Sequence, residues 1–160
     1  KNLSGCDMLV NLYTLPAQLE PANGLLMKRA WAGDMETVLS FVREQFSTCW
    51  AYEVQKALLQ LPSTCFLATK DGKLVGFACY DATARGYFGP IGVLESERGQ
   101  NIGKTLLLHT LYAMKAAGYG YGIIGWVDDA RVFYEKTVGA ISIPGGDPDH
   151  SVYWNRIALK

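Results

Sequence analysis

Residues 93 to 107 read Val-Leu-Glu-Ser-Glu-Arg-Gly-Gln-Asn-Ile-Gly-Lys-Thr-Leu-Leu, the apolar end of a strand joined to the apolar start of a helix by a basic, glycine-bearing turn. This stretch constrains the chain more than any other. The first N–H groups of a helix have no partner inside it, and the helix dipole puts partial positive charge at the same end, so an anion such as phosphate is favoured there. Gly99 and Gly103 remove the side chains that would hold a ligand off that backbone. An ordinary strand-to-helix turn, whose glycines serve geometry alone, is the competing reading.

Composition narrows the partners. A chain of 160 residues is expected to form one domain spanning 1–160, long enough to bury roughly two thirds of the surface its unfolded form exposes. Lys plus Arg and Asp plus Glu are 15 each, so no overall field recruits nucleic acid or an anionic membrane, and any basic function must be local. Cys6, Cys49, Cys65 and Cys79 form no CxxC pair and sit among apolar neighbours, the pattern of buried reduced thiols. No apolar run reaches the roughly 18 residues that span a bilayer, and no basic-then-apolar leader opens the sequence. The expectation is a cytoplasmic, soluble protein without a metal site.

Along the chain, residues 1–24 carry an apolar patch, Met8 to Tyr13, before Pro16 and Pro21, and read as an appended strand or arm. Leu25 to Trp31 reads as a strand, Asp34 as the N-cap of a helix with Met35, Val38, Leu39, Val42 and Phe46 on one stripe. A second helix follows, with Trp50, Val54, Ala57, Leu58 and Leu61 on one face, ending before Pro62. Asp71-Gly72, the preferred dipeptide of a tight hairpin, separates strands at Cys65 to Thr69 and Lys73 to Tyr80. Tyr87 to Val93 is strand-like but contains Pro90, which cannot donate to a ladder, so it must be bulged or unpaired on one side there. A helix from Asn101 to about Ala117 turns Ile102, Leu106, Leu107, Thr110, Leu111 and Met114 inward, with Gly118 at its C-terminal cap. Tyr121 to Val127 is a strand, Asp128 or Asp129 caps a short helix to about Lys136, and Ala140 to Ile143 and Val152 to Ala158 finish the sheet after a Pro144 to His150 loop. The order predicts a mixed α/β fold, a sheet flanked by helices.

Two segments in this order resemble the GNAT superfamily of acyl-CoA-dependent N-acetyltransferases. Arg98-Gly99-Gln100-Asn101-Ile102-Gly103-Lys104 is similar to its phosphate loop, Arg/Gln-x-x-Gly-x-Gly/Ala, and Ala130-Arg131-Val132-Phe133-Tyr134-Glu135-Lys136 to its second motif, Ala-x-x-hydrophobic-Tyr-Glu-Lys. The resemblance covers about Leu26 to Leu159. It implies a mixed, mostly antiparallel sheet of about six to seven strands with a splayed central pair and about four helices. It also implies that the strand matching Tyr87 to Val93 parts from the one matching Tyr121 to Val127, the pantetheine arm of acetyl-CoA entering between them. The implied cofactor-binding residues are Ile91, Val93, Arg98, Gly99, Gln100, Asn101, Ile102, Gly103, Lys104, Thr105 and Phe133. Three departures stand out. Asn101 replaces the first loop glycine, tolerable because Asn accepts positive φ more readily than other non-glycine residues. Val127 replaces a usual asparagine, with Asp128 beside it. Thr137-Val138-Gly139-Ala140 holds one extra residue.

Acyl transfer to an amine needs a deprotonated nucleophile, a stabilised oxyanion and a proton for the leaving thiolate. Tyr134, whose phenol titrates near about 10, suits the last role, against the alternative that its ring only packs. A backbone N–H near Val93 is the expected oxyanion donor. Glu53 is the candidate base, with Asp81 and Glu95 as others and water as a substitute, each carboxylate having a plain reading as surface charge. Trp50, Tyr80, Phe88 and Trp126 are possible acceptor-pocket walls or core. His109 reads as structural. Cys79 lacks an adjacent base for a covalent acyl-enzyme, so direct transfer is preferred. The acceptor is expected to be a small-molecule amine or a protein amino group, and a homodimer is left open. Two other classes compete: a non-catalytic acyl-CoA sensor on the same fold, and a nucleotide triphosphatase suggested by Gly103-Lys104-Thr105, whose loop would need a glycine where Arg98 stands.

Overall fold

In the computed structural model, which describes residues 5–157, alternating and helical apolar patterns produce seven strands and four α-helices. In chain order these are β1 (Cys6–Asn11), β2 (Leu25–Arg29), α1 (Met35–Gln45), α2 (Thr48–Leu58), β3 (Cys65–Lys70), β4 (Lys73–Tyr80), β5 (Tyr87–Val93), α3 (Ile102–Ala116), β6 (Tyr121–Val127), α4 (Arg131–Val138) and β7 (Ile141–Ser142). They form one sheet in the order β2-β3-β4-β5-β6-β1-β7. Every neighbouring pair is antiparallel except β5 with β6. This is the mixed, mostly antiparallel sheet with four helices that the resemblance implies.

The two faces of the sheet carry separate cores. One packs Leu106, Leu107, Leu111 and Met114 of α3 against Met8, Val10, Phe88 and Ile124, and takes in Tyr134 of α4. The other packs Val38, Val42, Val54 and Ala57 of α1 and α2 against Leu67, Phe77 and Cys79. Strand alternation explains the division, since Cys79 and Tyr80, adjacent in β4, fall in opposite cores. Burying one such Leu side chain contributes roughly 1.5–3 kcal/mol. Asp71 and Gly72 both take positive φ, +50° and +80°, the mirror-image turn that matches strand twist, and the β3–β4 hairpin forms as predicted.

Elsewhere the structure corrects the sequence reading. Residues 6–11 do form a strand, but one inside the sheet: β1 is paired on both sides, by β6 and β7, and Met8, Val10 and Leu12 are fully buried. The strand predicted at Val152 to Ala158 does not form: residues 152–155 are turns, Asn155 has φ +50°, and residue 158 lies outside the described residues. Leu61 lies beyond α2 and is fully exposed. Asp34 sits at the N-terminus of α1 but its carboxylate turns back, accepting from the Trp31 amide and pairing with Lys28. Neither Asp128 nor Asp129 occupies the N-cap of α4; Ala130 does, without a side-chain bond.

Candidate active site at a split in the sheet

Pro90 produces the predicted defect. Ala78 pairs with Ile91 and Tyr80 with Phe88, so Cys79 alone faces both Gly89 and Pro90, a bulge with Gly89 at φ +115°. On its other edge β5 pairs with β6 only at Tyr87↔Ile123 and Phe88↔Ile124. Beyond Phe88 the two strands have no ladder between them. The Leu94 amide bonds to the Val75 carbonyl; since antiparallel bonding alternates, Gly92 also points toward β4, while Ile91 and Val93 turn their N–H and C=O groups into the gap. Gly92 must lack a side chain, because a Cβ would lie 2.5 Å from the Phe46 ring.

The loop at the mouth of this gap is built from unusual backbone. After a 3-10 turn at Glu95–Glu97, Gly99 takes φ +83° and Asn101 φ +60°, ψ +17°, which delivers Ile102 into the first turn of α3. No acceptor among the described residues takes up the amides of Gly99, Gln100 or Asn101. Arg98 and Gly99 are exposed, and neither Arg98 nor Lys104 is ion-paired among the described residues. This geometry can receive an anion. Three of the expected side chains do not face it: Ile102 is buried in the core, Thr105 donates its hydroxyl to the Asn101 carbonyl at 2.7 Å, and the Gln100 amide group joins Lys70 and Glu97. Gln100 and Ile102 bring their backbone amides instead, whereas the Thr105 amide, like its hydroxyl, is already bonded to the Asn101 carbonyl, at 2.9 Å. The Lys70–Glu97 pair at 3.0 Å, itself joined to Gln100, props the loop from the β3–β4 side and holds the Glu97 carboxyl below its usual range.

Two titratable groups flank the start of the split from opposite faces. Tyr134 lies in the α3-side core with its ring edge-on to Phe88 at 6.3 Å and tilted against Phe133 at 5.3 Å. Burial holds its phenol protonated well above the ordinary range. Glu53, on α2, accepts a hydrogen bond from Thr83, and burial raises its pKa, with Thr83 and Lys56 partly opposing. Its charge is felt by Cys79, opposite the Gly89–Pro90 bulge, and by Tyr153. Burial pushes the Cys79 thiol well up, aided by Cys65 and Glu53, which disfavours the thiolate a nucleophile would need.

The other candidates fall away. Asp81 accepts from the Tyr119 hydroxyl and the Gly86 amide and closes the β4–β5 turn; burial, aided by Asp81, pushes the Tyr119 phenol up to about 12. Glu95 is exposed in the 3-10 turn. Trp50, Tyr80 and Phe88 are packed in the cores, Trp50 stacked on Phe46 at 5.5 Å. His109 packs edge-on to Phe66 at 4.8 Å, its pKa lowered by burial and Arg29. Val127 pairs with Cys6 and is buried. Sequence reasoning missed three residues beside Glu53 and Trp126. Thr83 bonds to Glu53, Tyr153 seats its hydroxyl against Gly125 with its ring 5.1 Å from Trp126, and Asp7 accepts from Tyr87 and from the Trp126 amide. Only Asp7 left a signal, as a lone acid in an apolar run.

The chain matches the sequence profile of the acetyltransferase (GNAT) family over residues 29–140. No curated protein matches it in sequence. Among solved structures, it is similar to the glucosamine N-acetyltransferase region of a fungal multi-domain GH3 β-N-acetylglucosaminidase, with TM-score 0.69, 16% identity, and coverage of 87% of this chain and 20% of that one. It is also similar to GCN5-related N-acetyltransferases from Sphaerobacter thermophilus (TM-score 0.67, 21% identity, 88% and 49% coverage) and Kribbella flavida (0.64, 20%, 87% and 54%). The chain thus spans about half the length of the latter two. These likenesses establish the fold, and with the family profile covering most of the sequence, the chain belongs to the GNAT family of acetyltransferases.

Proposed function

We propose that this protein binds acetyl-CoA in the split between β5 and β6 and transfers the acetyl group directly to the amine of a small molecule or a protein. The observation that carries this reading is the end of the β5–β6 ladder at Phe88↔Ile124, with Ile91 and Val93 facing the opening and the loop amides at its mouth. An extended arm bearing amides can pair with β5 as a further strand would. A diphosphate fits the Gly99–Asn101 amides and the first turn of α3, with Arg98 and Lys104 adding charge.

In this reading the Val93 or Ile91 N–H donates to the oxygen that gains charge as the amine attacks. Tyr134, protonated at every physiological pH, gives its proton to the departing sulfur. Glu53 takes the proton from the amine, suited to it because burial brings its pKa closer to neutrality than a free carboxylate. The triphosphatase alternative loses ground, since Arg98 stands where its glycine is needed and the family is that of acetyltransferases.

Calorimetry with acetyl-CoA beside ATP and magnesium, followed by a thiol-release assay over a panel of amines, tests the proposal. Acetyl-CoA heat and amine-dependent thiol release are expected. ATP binding without acetyl-CoA heat contradicts it, and acetyl-CoA binding with no turnover on any amine points instead to a sensor.

A further inference from the structure

At the base of the split, β1 and β6 are out of step. Cys6 pairs with Val127 and Met8 with Ile124, so Asp7 alone opposes Gly125 and Trp126. Trp126 takes φ +48° there, a conformation that bulky residues avoid and that persists only when its surroundings fix it. Tyr153 packs edge-on to its indole at 5.1 Å and Arg156 lies over the ring at 4.7 Å, and the side chain that bonds its backbone is that of Asp7, which is 4% exposed. Its Oδ1 accepts the Trp126 amide at 2.9 Å, and its Oδ2 accepts the Tyr87 hydroxyl at 3.3 Å. Its own backbone is tied to the 143–146 loop, the Asp7 amide donating to Gly146 and the Ile143 amide to Asp7. One carboxylate on β1 therefore grips the first residue of β5 and the bulged end of β6.

From this arrangement we infer that Asp7 is a positioning residue that keeps the split open, resting on the acetyl-CoA reading given above. With Trp126 bent away at φ +48°, the end of β6 follows β1 and leaves β5, so the amides at Ile91 and Val93 stay unpaired. Without the carboxylate, Trp126 relaxes toward extended backbone and β6 drifts toward the edge it has left.

The test compares Asp7→Ala, Asp7→Asn, Trp126→Gly and the Asp7→Ala/Trp126→Gly double variant by calorimetry with acetyl-CoA and with adenosine 3′,5′-bisphosphate, and by amide hydrogen exchange. Asp7→Ala is expected to weaken acetyl-CoA roughly tenfold while leaving the bisphosphate, which reaches only the loop, within about twofold, and to speed exchange of the Trp126 amide. Asp7→Asn keeps an acceptor for that amide and should hold affinity within about twofold. Glycine takes positive φ unaided, so in the Trp126→Gly background the loss from Asp7→Ala should shrink to under about twofold.

Equal weakening of both ligands, an undiminished loss in the glycine background, or unchanged exchange at Trp126 overturns the clamp. If Asp7→Ala alone does not fold, the double variant must fold and bind like Trp126→Gly; an unfolded double variant also overturns it. If the unaltered protein fails to bind acetyl-CoA, the proposed function falls, and the exchange measurement alone decides the clamp.

Discussion

The two approaches to the split are built by opposite means. The loop side is a single run of chain: the bulge at Gly89 and Pro90, a turn at Gly99 and Asn101 and the first turn of α3, all within residues 89–105. The other side is an assembly in which Asp7, Glu53, Thr83, Tyr87, Trp126 and Tyr153 meet from five distant stretches. The contrast teaches where each kind of function can be stored. Recognition of a diphosphate needs only backbone amides, which local sequence can aim; handling a proton on the acceptor needs side chains whose environments only the whole fold supplies.

The strongest way to break this contrast is Glu53→Gln. Loss of the proposed base should lower kcat roughly 10²- to 10⁴-fold with acetyl-CoA affinity unchanged, read by steady-state kinetics and calorimetry on one preparation; a KM effect alone would put Glu53 on the wrong side of the comparison. The pH profile sharpens it. Burial raises the Glu53 pKa, so the acid limb of kcat/KM should lie above the about 4.3 of a free glutamate and disappear in Glu53→Gln. Stability moves the other way. Because the folded pKa exceeds the unfolded one, the native protein loses stability as pH rises through the folded value, and Glu53→Gln does not. Thermal melts across that window should show the variant gaining on the unaltered protein as pH increases.

Next in size is Tyr134→Phe, expected to cost about 10²-fold in kcat at unchanged acetyl-CoA affinity, with the ring still packed on Phe88; unaltered turnover would leave Tyr134 a core residue. On the loop side, Asn101→Val forces a β-branched residue into φ +60°, a strain of about 1–2 kcal/mol. It should weaken acetyl-CoA roughly tenfold by calorimetry with kcat nearly kept, whereas Asn101→Gly should bind as well as the unaltered protein. Arg98→Ala should be smallest, a few-fold at low salt fading as salt rises, since an exposed charge contributes under about 1 kcal/mol.

What the sequence revealed follows the same division. The Asp71-Gly72 hairpin, the Pro90 bulge, the left-handed Asn101 and the inward face of α3 were all readable, because each is decided by the conformational range of one or two residues or by a local period. The position of β1 was not, because an apolar strand pattern names no partner; only the finished sheet shows β1 between β6 and β7. The expected last strand failed because its signal was weak: Val152-Tyr153-Trp154 is followed by Asn155-Arg156 without alternation, and residues 152–155 fold as turns. Glu53 was nameable from its helical spacing, yet its hydrogen bond from Thr83 and its neighbour Tyr153, 100 residues on, exist only in three dimensions. Trp126 at positive φ had no sequence warning at all, since an indole is among the last residues expected there.

Amide hydrogen exchange with and without acetyl-CoA, resolved at single residues, bears most directly on the open edge of β5. Slowed exchange concentrated at Ile91, Val93 and the Gly99–Lys104 amides, with the β3–β4 hairpin unchanged, is the predicted result. Protection of Ile91 and Val93 already complete without ligand, or no change at these amides with saturating acetyl-CoA, contradicts it.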